Sequence, residues 1–428
     1  MQRVLARQVP EQVGATVRVA GWVHRRRLLK SVAFLIVRDA TGLTQVVVTD
    51  LAVRDTVARL TEETVVEVTG RVVASDVAPA GAEVVDPRVR VVGDPAEPPP
   101  FDLYRPGLPA SLPTQLDHAP VALRHPTRSA ALRVGAAAAA GFRATLDAAG
   151  FVEVYTPKVV ESATESGANV FQLDWFGRPA YLAQSPQFYK QLMVGVFERV
   201  YEVGPVFRAE PHDTARHLAQ FTSLDVELGF ITDHRDVMAV LRDVLAGMLA
   251  AVEQRAGAAL ATLGADLPEV PDQVPAVDFP QALAIAGAPA TELDLAPAHE
   301  RAVGEWARSE HGSDFVFVTG YPMAKRPFYT RADPDRPAHS YSFDLIFRGV
   351  ELVTGGQRLH RYDDYVAALR GAGQPLEPYR SYVEAFRHGF PPHGGFAIGL
   401  ERFVARLVGA ANVREVSAFP RDLHRLTP

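Results

Sequence analysis

The stretch Val206–Phe230 reads VFRAEPHDTARHLAQFTSLDVELGF. An apolar run ends in Arg208 and Glu210, a polar loop carries Arg216 and His217, and a second run alternates charged and apolar residues through Asp225 and Glu227. Alternation at period two is the mark of a β-strand, so two strands and a connecting loop are expected. Phe221, Ser223, Asp225 and Glu227 then share one face, and Arg208 and Glu210 would project together from the other strand. One reading is a solvated hairpin braced by cross-strand ion pairs. The other is a nucleotide site in which a guanidinium clamps a phosphoryl oxygen and a phenyl ring stacks on a base.

The 428-residue chain is 47% hydrophobic, enough for a full core and for two or three domains. It has no cysteine, which removes disulfides, thiolate zinc sites and a thiol nucleophile from consideration. The opening residues lack an apolar core of signal-peptide length. The alanine-rich run VGAAAAAGF is too short to span a bilayer, so a cytoplasmic protein with no membrane partner is expected. The net charge of −6 argues against indiscriminate binding to nucleic acid. Between Gln12 and Arg38, however, six bases and His24 stand with no acid among them. That local asymmetry points to a small basic module on an acidic body.

Outward from the quoted stretch, the first hundred residues form five short valine-rich runs, with a helical pattern at Leu51, Val57 and Leu60 between the third and fourth. This is the strand and helix order of an OB-fold barrel, a common reader of single-stranded nucleic acid. A proline-rich segment follows, giving expected divisions of 1–95 for the barrel, 96–125 for a stiff connector and 126–428 for the remainder. Arg128 to Gly150 reads as one alanine-rich helix stopped by glycine. No GxGxxG or Walker loop appears, which speaks against Rossmann and P-loop domains.

Two further segments look chemical. In HGGFAIGLERF, Arg402 falls in the first helical turn after Gly399, where it opposes the helix dipole and suits a phosphate partner. In FDLIFRGVELVTGGQR, Glu351 and the Thr354 hydroxyl offer hard oxygens for Mg²⁺. The strand before Thr156 and Pro157 suits a sheet edge or an interface.

Together with ATESGANVF, YLAQSPQFYKQLM and GVELVTGGQR, these segments resemble the signature motifs of class II aminoacyl-tRNA synthetases. Within that class they are similar to the aspartyl-tRNA synthetases of the compact archaeal type, over nearly the whole chain. The resemblance implies an α+β protein, with an OB-fold anticodon-binding barrel ahead of a catalytic domain built on an antiparallel sheet flanked by helices. The large insertion of the bacterial enzymes between the second and third motifs is missing.

It further implies a homodimeric ligase that uses ATP and Mg²⁺ to attach L-aspartate to tRNA(Asp). Arg208 would bind the α-phosphate and the amino acid's carboxylate, with Ala209 beside it. Glu210 would take the adenine amino group, Phe221 would stack on the ring, and Arg216, His217 and Leu218 would line the nucleotide. Arg402 would hold the γ-phosphate next to Gly399, Leu400 and Glu401. Glu351 and Thr354 would ligate the metal. Lys190 and Arg358 would meet the side-chain carboxylate and Asp225 the α-ammonium, with Glu165 and Gln187 nearby. Two buried cations favour aspartate over asparagine, the substrate of the rival asparaginyl-tRNA synthetases.

Two positions depart from the family pattern: Thr354 stands where serine is usual, and Gln220 where a glutamate commonly precedes the phenylalanine. In the barrel, Phe34 corresponds to the aromatic that stacks on an anticodon base and Gln45 to a base reader, with Arg27 alongside. His24 and Pro79 resemble the nondiscriminating members that also charge tRNA(Asn), whose product a tRNA-dependent amidotransferase would take up. The alternative is a discriminating enzyme confined to tRNA(Asp). His388 and His393 read as loop supports, not as acid or base catalysts.

Overall fold

A computed structural model describes residues 1–161, 169–211 and 213–427. The chain divides into two compact units, Met1–His125 and Pro126–Pro428.

In the first unit, β1 (Thr16–Leu28), β2 (Ala33–Asp39), β3 (Gly42–Val48), β4 (Val65–Ala74) and β5 (Ala82–Val91) close into a barrel of order β1-β2-β3-β5-β4. Closure falls to β1, whose 13 residues pair with β4 at one end and β2 at the other, across a bulge between Val23 and Arg25. Alternate valines such as Val19, Val37, Val46, Val68 and Val84 fill the interior. Helix α1 (Leu51–Arg59) begins at Asp50, whose carboxylate accepts the Val53 N–H at 2.9 Å. The proline-rich stretch packs within this unit. It holds short helical turns at Leu112–Asp117 and Ala119–Ala122 and a small apolar cluster of Phe101, Leu103 and Ala122.

The second unit is built on an eight-stranded sheet. Its strands are β6 (Val152–Glu153), β10 (Arg199–Phe207), β11 (Gln220–Gly229), β12 (Ala276–Asp278), β13 (Phe315–Thr319), β14 (Ser342–Phe347), β15 (Val350–Gln357) and β16 (His393–Gly399). Their order is β12-β13-β14-β15-β16-β11-β10-β6. The six inner strands are antiparallel, as expected, whereas both edge strands pair in parallel, so the whole sheet is mixed. A separate small sheet is formed by β7 (Val159–Val160), β8 (Gln172–Trp175) and β9 (Arg178–Leu182).

The alanine-rich helix α2 (Pro126–Ala148) packs with the long α4 (His234–Leu263) over the main sheet, and their side chains join those of the strands in the largest apolar cluster. The alanines permit a close helix approach. A Cβ on Gly141 would stand 2.6 Å from the Gly247 carbonyl oxygen. Helix α3 (Gln187–Phe197) lies against β10 and β11, and α5 (Pro297–His311) against β13, β14 and β15. Helix α6 (Leu400–Leu407) follows β16 directly. No helix among the described residues is long and apolar enough to cross a membrane.

Candidate active site

The quoted stretch folds as a strand, a loop and a returning strand. Phe207 pairs with Gln220 and Glu202 with Asp225. Phe221, Ser223, Asp225 and Glu227 alternate along β11 as expected. Arg208 and Glu210 do not share a strand face, because β10 stops at Phe207 and both lie in the loop. Pro211 follows them without an N–H to extend the ladder. One ladder bond persists, from the Arg208 N–H to the Ala219 carbonyl at 2.9 Å. Since β11 is an inner strand covered on both faces, its charged residues are buried.

A cavity of about 540 Å³ opens above this floor, lined by Arg208, Glu210, Arg216, His217, Leu218 and Phe221 from the hairpin. Glu351, Thr354 and Arg358 join it from β15 and its end, Gln187 and Lys190 from α3, and Gly399, Glu401 and Arg402 from the β16–α6 junction. Of the remaining expected residues, Ala209, Asp225 and Leu400 do not line it, and Glu165 lies outside the described residues. The Arg208 guanidinium sits 5.6 Å from the Phe221 ring centroid.

One end of the cavity is a buried charge lattice. Positions 187, 190, 191 and 194 of α3 fall on one helical face, which brings Lys190 to the floor with 1% of its surface exposed. Its ammonium donates to Asp225 Oδ1 at 3.0 Å and to the carbonyls of Val226 at 3.3 Å and Phe396 at 3.1 Å. These use all the donors an ammonium has. Arg358 donates through Nε to Glu227 Oε1 and through Nη2 to the Gly395 carbonyl, both at 3.0 Å.

Glu227 is fully buried between the two cations, its other oxygen 3.4 Å from Lys190. Burial pushes its pKa up, but the charges of Arg358 and Lys190 outweigh that and hold it below the usual carboxylate range. Asp225 gives its second oxygen to the Ser223 hydroxyl at 2.5 Å. Both its oxygens therefore bond within the floor, and each keeps a lone pair for a further donor. Two cations can be buried here because two carboxylates accompany them.

The opposite end gathers Glu351, Thr354 and Arg402. The Thr354 hydroxyl donates to Glu351 Oε1 at 3.3 Å, and Arg402 Nη1 to the Glu351 carbonyl at 3.2 Å. Burial, then the charge of Asp344, raise the Glu351 pKa to about 7, with Arg402 and Arg326 opposing. That half-buried carboxylate, with a hydroxyl beside it, fits a hard divalent cation. No ready cluster of three or more acidic or histidine side chains occurs among the described residues, so water or phosphate oxygens would complete any coordination shell. Glu401 accepts the Thr222 N–H at 3.1 and 3.0 Å, tying α6 to the floor.

Sequence reading missed several site residues. Glu300 on α5 accepts the Glu351 N–H at 2.8 Å and the Arg216 guanidinium at 3.4 Å, yet it belongs to no motif. Arg326 pairs with Asp344 at 3.2 Å and covers the Tyr321 ring at 4.0 Å. Its only local signal was a Lys-Arg pair before a proline in YPMAKRPF. His393 is wholly buried and held near pKa 4 by burial, its Nε2 3.3 Å from Gln191 Oε1.

On the barrel, Arg27, Phe34 and Val47 stand in register on the outer face of β1, β2 and β3, and Gln45 shares that face. Gln45 donates to Glu83 at 2.8 Å, and Pro79 is exposed in the β4–β5 connection. His24 is buried at the bulge of β1, with its Nδ1 3.4 Å from Arg38. Arg38 is in turn forked onto Glu63, both bonds at 2.8 Å. Burial, then the Arg38 charge, lower the His24 pKa to about 4.

A closed five-stranded barrel, followed by an antiparallel floor with arginines at one end and a compensated charge lattice at the other, defines a class of nucleotide-using enzymes that read nucleic acid. The comparisons narrow the class. A model described as "tRNA synthetases class II (D, K and N)" matches residues 111–423, and one described as "OB-fold nucleic acid binding domain" matches 17–92. The chain belongs to the class II tRNA synthetases of that family.

Similar proteins named "Aspartate--tRNA(Asp/Asn) ligase" come from Thermus thermophilus and Deinococcus radiodurans. Each is 44% identical, with the whole of this chain covered and 100% and 99% of theirs. Among solved structures, the asparaginyl-tRNA synthetase of Pyrococcus horikoshii complexed with asparaginyl-adenylate aligns over both full chains at TM-score 0.93 and 30% identity.

Proposed function

We propose that this protein joins L-aspartate to ATP as aspartyl-adenylate and passes the aspartyl group to tRNA(Asp) and also to tRNA(Asn). The observation that carries aspartate over asparagine is the state of the charge lattice. Both oxygens of Asp225 and of Glu227 already face the Lys190 ammonium, the Arg358 guanidinium or the Ser223 hydroxyl. An amide NH₂ entering beside Arg358 would meet cationic donors, and Glu227 Oε2, the lattice oxygen that makes no hydrogen bond among the described residues, is itself buried 3.4 Å from Lys190, so the amide's donors would stay unpaired at a cost. A carboxylate needs only donors, and Nη1 of Arg358 makes no bond to protein among the described residues. Lys190 then contributes charge, its own N–H groups being spent, and Asp225 holds that ammonium in place.

In this reading Arg208 neutralises the two anions that must meet, the substrate α-carboxylate and the α-phosphate. A carboxylate oxygen forms a bond to the α-phosphorus, the bond from that phosphorus to the bridging oxygen breaks, and pyrophosphate leaves with the electron pair. No proton moves in this step, which agrees with the absence of an acid or base role for His393. Phe221 supports the adenine ring from below and Glu210 its amino group, while Arg216, His217 and Leu218 wall the nucleotide. Arg402 faces the terminal phosphate. Glu351 and Thr354, with Asp344 near them, would hold Mg²⁺, which supplies neutralising charge to the phosphates when bound.

We assign residues 1–95 to anticodon reading and 126–428 to chemistry, with 96–125 between them. Phe34 would stack on an anticodon base and Gln45 and Arg27 bind beside it. The exposed Pro79 offers no donor to enforce one last anticodon base, and His24 acts from behind the surface through Arg38. A homodimer is supported by exposed Val152 and Tyr155 beside Pro157 at the β6 edge. Aspartate on tRNA(Asn) would require an amidotransferase downstream. Charging purified tRNA(Asp) and tRNA(Asn) in parallel, with aspartate and with asparagine, tests the proposal. Incorporation of asparagine would overturn the amino-acid assignment, and charging of tRNA(Asp) alone would overturn the dual specificity.

A further inference from the structure

The loop bearing Arg216 and His217 leaves the sheet at Phe207 and returns at Gln220. Its described residues between Arg208 and Ala219 form no regular helix or strand, so the loop's position is set from outside. The support comes from residues 412–425, which follow α6. The Val413 N–H donates to the Ala215 carbonyl at 2.8 Å, the Ala219 N–H donates to the Arg421 carbonyl at 2.7 Å, and Gln220 and Arg421 form an antiparallel bridge.

Between these two attachments lies Arg414, buried to 7% exposure. Its Nη1 donates to the Thr214 carbonyl and its Nη2 to Asp213 Oδ1, both at 3.0 Å, on the loop side. On the other side Nε donates to Asp422 Oδ2 at 2.5 Å. Asp422 is itself fixed by the N–H groups of His424 at 2.9 Å and Arg425 at 2.8 Å. Arg128 of α2 anchors the segment to the helical layer by donating to the Glu415 carbonyl at 2.6 Å. Val413 and Leu423 also reach the cavity wall.

We infer that residues 412–425 are a strap holding the nucleotide loop in its binding position, with Arg414 as the positioning residue that clamps loop to strap. A planar guanidinium suits the task because its donors are arranged in a rigid fork, so three acceptors on two segments are fixed relative to one another. The effect reaches the nucleotide through Arg216 and His217. The aspartate end is supported separately by α3 and β11.

The inference rests on the proposed function for its kinetic test but not for its binding test. In aspartate-dependent pyrophosphate exchange, Arg414→Ala is expected to raise the KM for ATP about tenfold and leave the KM for aspartate within about twofold. Asp213→Ala, which cuts only the loop side, is expected to give a smaller rise of the same kind. The double variant should be no worse than Arg414→Ala, since the two act through one contact. A parallel rise in both KM values, additive effects, or unchanged ATP kinetics would overturn the strap. Should Arg414→Ala fail to fold, Asp213→Ala carries the test, its contact being half exposed. If wild-type protein gave no exchange, the functional reading alone would fall. Calorimetric ATP affinity of wild type against the variants would still decide the strap, with equal affinities overturning it.

Discussion

A single carboxylate, Glu227, decides how the acid end of the cavity is organised. It bonds Arg358 at 3.0 Å and stands 3.4 Å from Lys190, with no exposure to solvent. Removing one member of a buried ion cluster leaves the others uncompensated, at a typical cost of about 3–5 kcal/mol. Glu227→Gln is therefore expected to lower thermal stability and to raise the KM for aspartate by more than about tenfold, as pyrophosphate exchange would measure. Arg208→Ala should reduce exchange by at least about 10³-fold while circular dichroism and the melting temperature stay close to wild type, because its role is in charge neutralisation at the floor. Residual exchange near the wild-type rate would remove Arg208 from its proposed place. The identities of Arg208, Lys190, Arg358 and Arg402 were legible in the motifs. Their partners were not: Glu227 appeared only as one of four residues on a strand face, and Glu300 had no motif around it.

At the scale of elements, strand β15 places Glu351 and Thr354 on the cavity wall three residues apart, where the hydroxyl meets the carboxylate at 3.3 Å. Thr354→Val keeps the branched shape suited to a strand but removes that hydroxyl. It should raise the Mg²⁺ concentration for half-maximal exchange several-fold, leaving the KM for aspartate nearly unchanged. The helical layer makes a different kind of prediction. A Cβ at Gly141 would come within 2.6 Å of the Gly247 carbonyl and 2.8 Å of the Met248 Cα, both backbone atoms that cannot step aside alone. Gly141→Val should thus cost about 1–3 kcal/mol by overpacking, read as a lower urea midpoint. The alanine run announced the helix by propensity. That its small face exists to admit α4 became visible only once the two helices were packed together.

For the molecule as a whole, acid sensitivity follows from buried neutral histidines, His24 in the first unit and His393 in the second. The pKa of each is lowered from 6.5 to about 4, mainly by burial. The unfolded chain then binds more protons between those values, so stability is complete above pH 6.5 and falls as the pH drops toward 4. For the fully enclosed His393 the loss is of order 3 kcal/mol at the acid limit. A melting temperature followed from pH 7 to pH 4.5 should decline for wild type, and His393→Gln should decline less steeply. A flat profile in wild type would contradict the burial of both rings as neutral groups.

The order of residues along the chain is sufficient for the architecture and the family. Period-two valine runs, a helix between the third and fourth of them, and three motifs in order were enough, because strand and helix periodicity and motif spacing are properties of neighbours along the chain. Tertiary structure alone decided which charges are buried and what they face. The carboxylates on β11 meet cations from α3 and from the end of β15, and His24 turns inward at a bulge onto Arg38. Such pairings depend on whether a strand lies inside a sheet or at its edge and on which distant segment comes to lie over it. No local pattern carries that, since the dielectric around a charge is set by the whole packed molecule.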